Sequence, residues 1–556
     1  VVDYDATAER FNGTHVLPRS VDREPKRWQL GDRRIVKDYR FHAQNVYAYV
    51  MRTLARFEFA LGRRVGWSSR SFKSHQLKIA PHGMCDANAF YSPHEEGLVF
   101  GYFSGSRGGV VYTCLSHDIA VHETTHALID ALRERYMDPS SPDQAAFHEG
   151  LADVVALLSV FSLPEVLRHL LSGGRVSKAT PELIGRRECD SEALRKSALF
   201  GLAEEMGQET QTARGGALRH SATLPRDATL LTQPEFLEPH RRGEVFAAAV
   251  MNGFVEAWAD RILKLGIPGQ RKYPLQRVAE EGADIADVLI TMWIRAIDYM
   301  PPVHLEFRDA LSAALTADAE VRPNDSRYEL RKRMLEAFRM FGIDPASTTP
   351  GVAGAWQRAP AGLKYGRVRA ESLRTDKDEV FRFLWDNREA LKLREGAYAR
   401  VLSVRPCVRQ GPDGFMLRET IAEYYQVARL TVAELRQRGV VVPAEYADAL
   451  RAARQGRAGE AVSERRDLDR EEPDEDLGTT PLYGGGTLVF DEYGHLKFHI
   501  YNDVYGAKRQ TARLQYLWDT GQLEAGGDSG RLRIERLASL HRMRVGLTRR
   551  PRAEGW

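Results

Sequence analysis

The segment SHDIAVHETTHALIDALRERY constrains this chain more than any other stretch. Its apolar residues recur at helical spacing, and within that pattern His122, Glu123 and His126 form H-E-x-x-H. Side chains four apart share one helix face, so both imidazoles can reach a single ion, which makes His122 and His126 candidate metal ligands. Glu123 lies beside that face. It is placed to work on an activated water without ligating the metal itself, the role of a general base. Such a site needs a third protein ligand and one place left open. The next apolar segment, SSPDQAAFHEGLADVVALL, offers Ser141 as a helix cap, Glu149 as the third ligand and Asp153 one turn further on. Asp153 can accept the other ring N–H of a ligand histidine and so fix its tautomer. The apolar residues on either side predict a buried helix, where carboxylates need partners.

The surrounding pattern predicts an α+β fold. A helix is expected over Asp38–Leu61, stopped by Gly62, followed by short strands in HQLKIAPHG, NAFYSPHEEGLVFGYF and VVYTC. Helices are then expected over Ser116–Tyr136, Asp143–Phe161, Glu244–Leu265, Ala283–Tyr299, Glu306–Leu315 and Ser326–Phe341. A small strand-rich lobe thus leads into a helical lobe. The Pro/Gly/Ala-rich stretch STTPGVAGAWQRAPAG marks a boundary near 345. Beyond it we expect a mixed strand and helix region over 346–455, a charged linker over 456–484 containing SERRDLDREEPDED, and a hairpin with helices and a basic tail over 485–556. The hairpin is read from GTLVFDEYGHLKFHIYN, turning at Glu492, Tyr493 and Gly494.

His122 to His126, followed one helix later by Glu149 and Asp153, resembles the gluzincin metallopeptidases, and the thermolysin-like family in particular. Asn88-Ala89-Phe90-Tyr91 is similar to that family's edge strand, and AIDYMPPVHLEFRDALSAAL with LRKRMLEAFRMFGI is similar to its closing helices. The resemblance covers about residues 35–345. It implies a thermolysin-like catalytic domain at 1–345 holding one Zn²⁺, with Asn88 and Ala89 binding a peptide as an added strand. It also implies that Tyr136 and His240 stabilise the oxyanion, with Arg241 or Arg242 able to assist or replace His240. The interval from His126 to Glu149 is longer than the family's, which implies a longer loop at the cleft rim. Asp118 coincides with a family calcium ligand, but the acidic cluster that would complete that site is replaced by LLSVFSLPEVLRHLL, so calcium is not expected.

Bulk properties fit this reading. The chain has 556 residues and a formal net charge of only +3, from 79 basic and 76 acidic side chains, which gives no field that would call for nucleic acid. Four dispersed cysteines, no leader-like start and no long apolar run predict a cytoplasmic protein without a membrane span. The expected function is zinc-dependent endopeptidase, with a peptide or protein as substrate; for the C-terminal region a self-inhibitory cover, a partner-docking unit and a delivery element all stay open. The alternative is a catalytically silent or latent zinc-binding protein for partner recognition or regulation; the sequence favours turnover because Glu123, not being a ligand, would be dispensable in such a module.

Overall fold

Asp38 caps the first long helix by accepting the Arg40 N–H at 3.0 Å. The helix, α1 (Tyr39–Leu61), ends at Gly62 in the left-handed conformation. In this computed structural model the described residues are 1–12, 35–68, 76–105, 109–138, 140–173, 182–196, 224–265, 271–347, 351–451 and 479–523. The charged segment SERRDLDREEPDED and the basic tail lie outside them.

After α1 come β1 (Lys78–Met84), β2 (Ala89–Ser92), β3 (Gly97–Ser104) and β4 (Val110–Tyr112). The sheet runs β1-β3-β2, with β1 parallel and β2 antiparallel to β3, while β4 pairs antiparallel with the far end of β3. Among the described residues strand β2 is therefore an edge. The chain then turns helical: α2 (His117–Leu132), α3 (Pro142–Phe161), α4 (Pro164–Leu171), α5 (Pro239–Leu265), α6 (Leu275–Ala296), α7 (Phe307–Val321) and α8 (Leu330–Met340). One apolar core joins them and contains Phe147, Phe246, Trp258 and Trp293, all buried.

Helix α5 begins at Pro239, ahead of the expected Glu244, because Glu238 accepts the Arg241 N–H at 2.7 Å and so satisfies the first turn. Gly243 does not break it. A Cβ there would lie 3.0 Å from the Ala146 carbonyl and from the Gly150 nitrogen, and a Cβ on Gly150 would lie 2.9 Å from the Gly243 carbonyl. The two glycines let α3 and α5 touch backbone to backbone, bringing the start of α5 against Glu149.

Beyond 345, α9 (Lys377–Asp386) precedes an antiparallel meander: β5 (Tyr398–Gln410), β6 (Met416–Leu430), β7 (Thr480–Phe490) and β8 (Leu496–Asn502), followed by α10 (Ala507–Asp519). One side of this sheet meets α9 and packs Leu384, Val401, Ala422 and Leu488. Other residues of it, Cys407, Ile421, Val489, Phe498 and Ile500, belong to the same core as the helical lobe. The molecule is thus mixed α and β, compatible with the expected α+β class. By length and apolarity one helix among the described residues, α3, would suffice to cross a membrane, but its apolar window is 78% buried inside the protein.

Candidate metal centre

Helices α2 and α3 lie side by side and turn their polar groups toward each other. His122 and His126, one turn apart on α2, bring their Nε2 atoms within 2.9 Å. Glu149 on α3 sets Oε2 at 3.4 Å from the first and 3.6 Å from the second. All three are buried, and together they form a group positioned to bind a metal ion.

The tautomers support this. Asp153, one turn beyond Glu149, has Oδ1 at 2.7 Å from His122 Nδ1. A carboxylate only accepts, so Nδ1 carries the proton and Nε2 presents a lone pair. His126 Nδ1 lies 2.9 Å from Nδ1 of His148, a ring that burial, and next the adjacent His126, pushes down to about 3. His148 is therefore neutral at pH 7 and can accept the His126 proton, which again turns Nε2 inward. Two imidazole lone pairs and a carboxylate oxygen converge on one point, and a cation answers that arrangement. Replacing Asp153 with Ala is expected to weaken metal affinity about 10- to 100-fold, measured by competition against a chromogenic chelator. Unchanged affinity would show that Asp153 does not orient His122.

Glu123, 0% exposed, sits on α2 between the histidines and accepts the Tyr91 N–H from β2 at 2.9 Å. The edge strand is thereby tied to the helix that carries the site. Tyr91 is held at its other end too, its hydroxyl donating to Asp130 at 2.9 Å. Asn88 and Ala89 lie at the start of that strand and are buried, and the Ala89 N–H is occupied by Asn88 Oδ1 at 2.9 Å. His240, in the first turn of α5, joins the group: its Nε2 is 3.5 Å from Glu149 Oε2, and its Nδ1 is 2.6 Å from Glu238. Burial alone would raise the Glu238 carboxyl, but His240 and nearby backbone N–H groups hold it below its ordinary value.

Tyr136 is not brought into this group. It is fully packed, with its hydroxyl donating to the Pro301 carbonyl at 2.8 Å and its ring against Phe147, and burial pushes its pKa upward. It serves the core beneath α3. The neighbouring arginines are also engaged elsewhere, Arg241 with Glu244 at 2.6 Å and Arg242 with Asp143 at 2.5 Å. Asp118 bonds with the Ser116 hydroxyl. Two contributors escaped sequence reasoning. His148 directly precedes Glu149, so a histidine within a buried helix was the available signal; Glu238 stands two residues before His240 and reads as an ordinary capping acid.

Comparison with family models, curated proteins and solved structures gives no match to this chain.

Proposed function

We propose that the chain is a zinc-dependent endopeptidase of gluzincin type, with His122, His126 and Glu149 as ligands, Glu123 as general base and His240 as the electrophilic helper. The observation that carries this reading is the convergence of both Nε2 atoms and Glu149, with a fully buried carboxylate beside them that is not a member of the ligand trio. Two imidazoles and one carboxylate suit zinc and leave it an open place. When bound, zinc supplies Lewis acidity, polarising a carbonyl and acidifying a water. Glu123 takes a proton at its carboxylate and later releases it to the leaving amine. Asp153 and His148 keep the imidazoles aimed while this happens. His240, its Nδ1 facing Glu238, offers Nε2 to charge developing on the peptide oxygen. Strand β2 supplies the edge along which an extended peptide lies.

The test is cleavage of end-blocked, internally quenched peptides by the zinc-loaded chain, before and after removal of metal with a chelator. Cleavage that disappears on chelation and returns with zinc is expected. Failure to cut any member of a broad library would sink the endopeptidase reading.

One observation favours a second reading, that of a zinc-bearing recognition protein without turnover. All four residues of β2 are buried, and the Ala89 N–H is already taken by Asn88. Stoichiometric zinc without cleavage in the same experiment selects it.

A further inference from the structure

A second cluster repeats the logic of the first at a different place. His42 on α1 and His82 on β1 bring Nδ1 and Nε2, respectively, within 2.8 Å of each other. His82 Nδ1 is 2.8 Å from Asp3 Oδ1, and His42 Nε2 is 3.0 Å from the Val36 carbonyl oxygen. Both outer partners are acceptors. The outer nitrogens therefore carry the protons, and the two inner nitrogens face one another as lone pairs. Two acceptors at that distance repel unless something positive lies between them. Cys114, in the turn just ahead of α2, completes the set: its sulfur and one ring nitrogen of each histidine all lie within 4.8 Å of one another. His42 and Cys114 are 0% exposed, His82 1% and Asp3 4%. The rings of Tyr39 and Tyr112 wall the cluster, with centroids 4.3 Å from His82 and 4.5 Å from His42.

We infer that His42, His82 and Cys114 bind a second metal ion, zinc by donor type, in a structural site separate from the His122/His126 centre. Imidazole with thiolate is a zinc donor set, and an imidazole whose far N–H meets a carboxylate is the usual companion of such ions. Charge also balances: two positive charges meet one thiolate and the Asp3 carboxylate. Tetrahedral zinc would set these donors about 3.3–3.6 Å apart, so the two rings need open by only about 0.5 Å. The adjustment resembles that required of His122 and His126, which start at 2.9 Å. A fourth place remains for a small ligand such as water. The ion would join three segments, α1, β1 and the turn from which α2 departs, and through His82 it would hold Asp3 near the N-terminus. It would thereby fix the helix that carries the first site.

This inference is independent of the proposed peptidase activity, and the test keeps the two apart. Metal is counted per chain on the full-length protein, and cobalt is substituted for zinc. Two ions are expected in the wild type, one in Cys114→Ser or His82→Ala, and one in His126→Ala. Cobalt at the second site should give a thiolate-to-metal charge-transfer band that His126→Ala keeps and Cys114→Ser loses, since the first site contains no sulfur. The band can be sought in the wild type alone, so the result does not depend on any variant folding. A protein with no thiolate band, whose metal content is unchanged by Cys114→Ser and His82→Ala, would overturn the site and leave a proton shared between two imidazoles. A band that survives Cys114→Ser would overturn it equally.

Discussion

Glu123→Gln is expected to retain its metal while losing about 10²- to 10⁴-fold in turnover, the range ordinarily ascribed to a positioned acid–base group. The substitution is nearly isosteric, and the amide oxygen can still accept the Tyr91 N–H that Glu123 accepts at 2.9 Å, so edge strand and helix should stay joined. What disappears is the ability to hold a proton in transit. The ligand trio of His122, His126 and Glu149 does not include Glu123, which is why metal content should not move. His126→Ala is the contrasting variant and should lose ion and activity together. Elemental analysis run beside peptide cleavage reads both, and a Glu123→Gln protein as active as the parent would remove Glu123 from the mechanism.

The second large effect lies far from that chemistry. Arg409→Met is expected to destabilise the protein by about 3–5 kcal/mol, the usual result of removing one partner from a buried ionic group. Arg409 is 0% exposed on β5; it reaches Glu419 on β6 at 2.5 Å and pairs with Asp298 just after α6. Asp298 also takes two bonds from Arg63, at 2.5 and 2.7 Å, and Glu419 receives the Tyr299 hydroxyl at 2.6 Å. Burial alone would raise the Asp298 carboxyl, but the Arg63 and Arg409 charges overcome it and hold it well below the usual carboxylate range. A depressed folded value contributes stability that is complete above the unfolded value of about 3.9 and is lost as pH falls through the folded one. Arg409→Met weakens that depression, so acid unfolding should begin at a higher pH than in the parent. Urea unfolding at neutral pH and an acid titration followed by circular dichroism test the two halves; parental stability in both would show that Arg63 alone suffices for Asp298.

Local signals carried much of the architecture. Asp38 and Gly62 bracket α1, Ser141 caps α3 by accepting the Gln144 N–H at 3.0 Å, and the four-residue spacings set His122 with His126 and Glu149 with Asp153 on shared faces. Such signals depend on neighbours in sequence. Tyr136 shows a limit of another kind: the family resemblance implied a role at the site, but its hydroxyl is claimed by Pro301, 165 residues away. Strand β6 shows another. Its Glu419, Thr420, Glu423 and Gln426 are polar yet all buried, because the strand lies between α9 and the helical lobe and its charges find Arg409 and Arg405. The His42, His82 and Cys114 cluster was equally invisible, its members being drawn from a helix, a strand and a turn.

Arg133 closes α2, the helix of the H-E-x-x-H motif, and its guanidinium donates to Thr487 on β7 at 3.2 Å, a partner 354 residues further along the chain. It also lies 3.2 Å from Glu423 on β6. During synthesis these partners arrive late: at ribosomal speeds the delay from Arg133 to Thr487 is on the order of 20–70 s. Until Glu423 is made, the charge at the end of α2 has neither companion, and the nascent chain carries His122, His126 and Glu149 without the sheet against which α2 ends. The packing around the end of α2 is thereby completed only once β7 has been made.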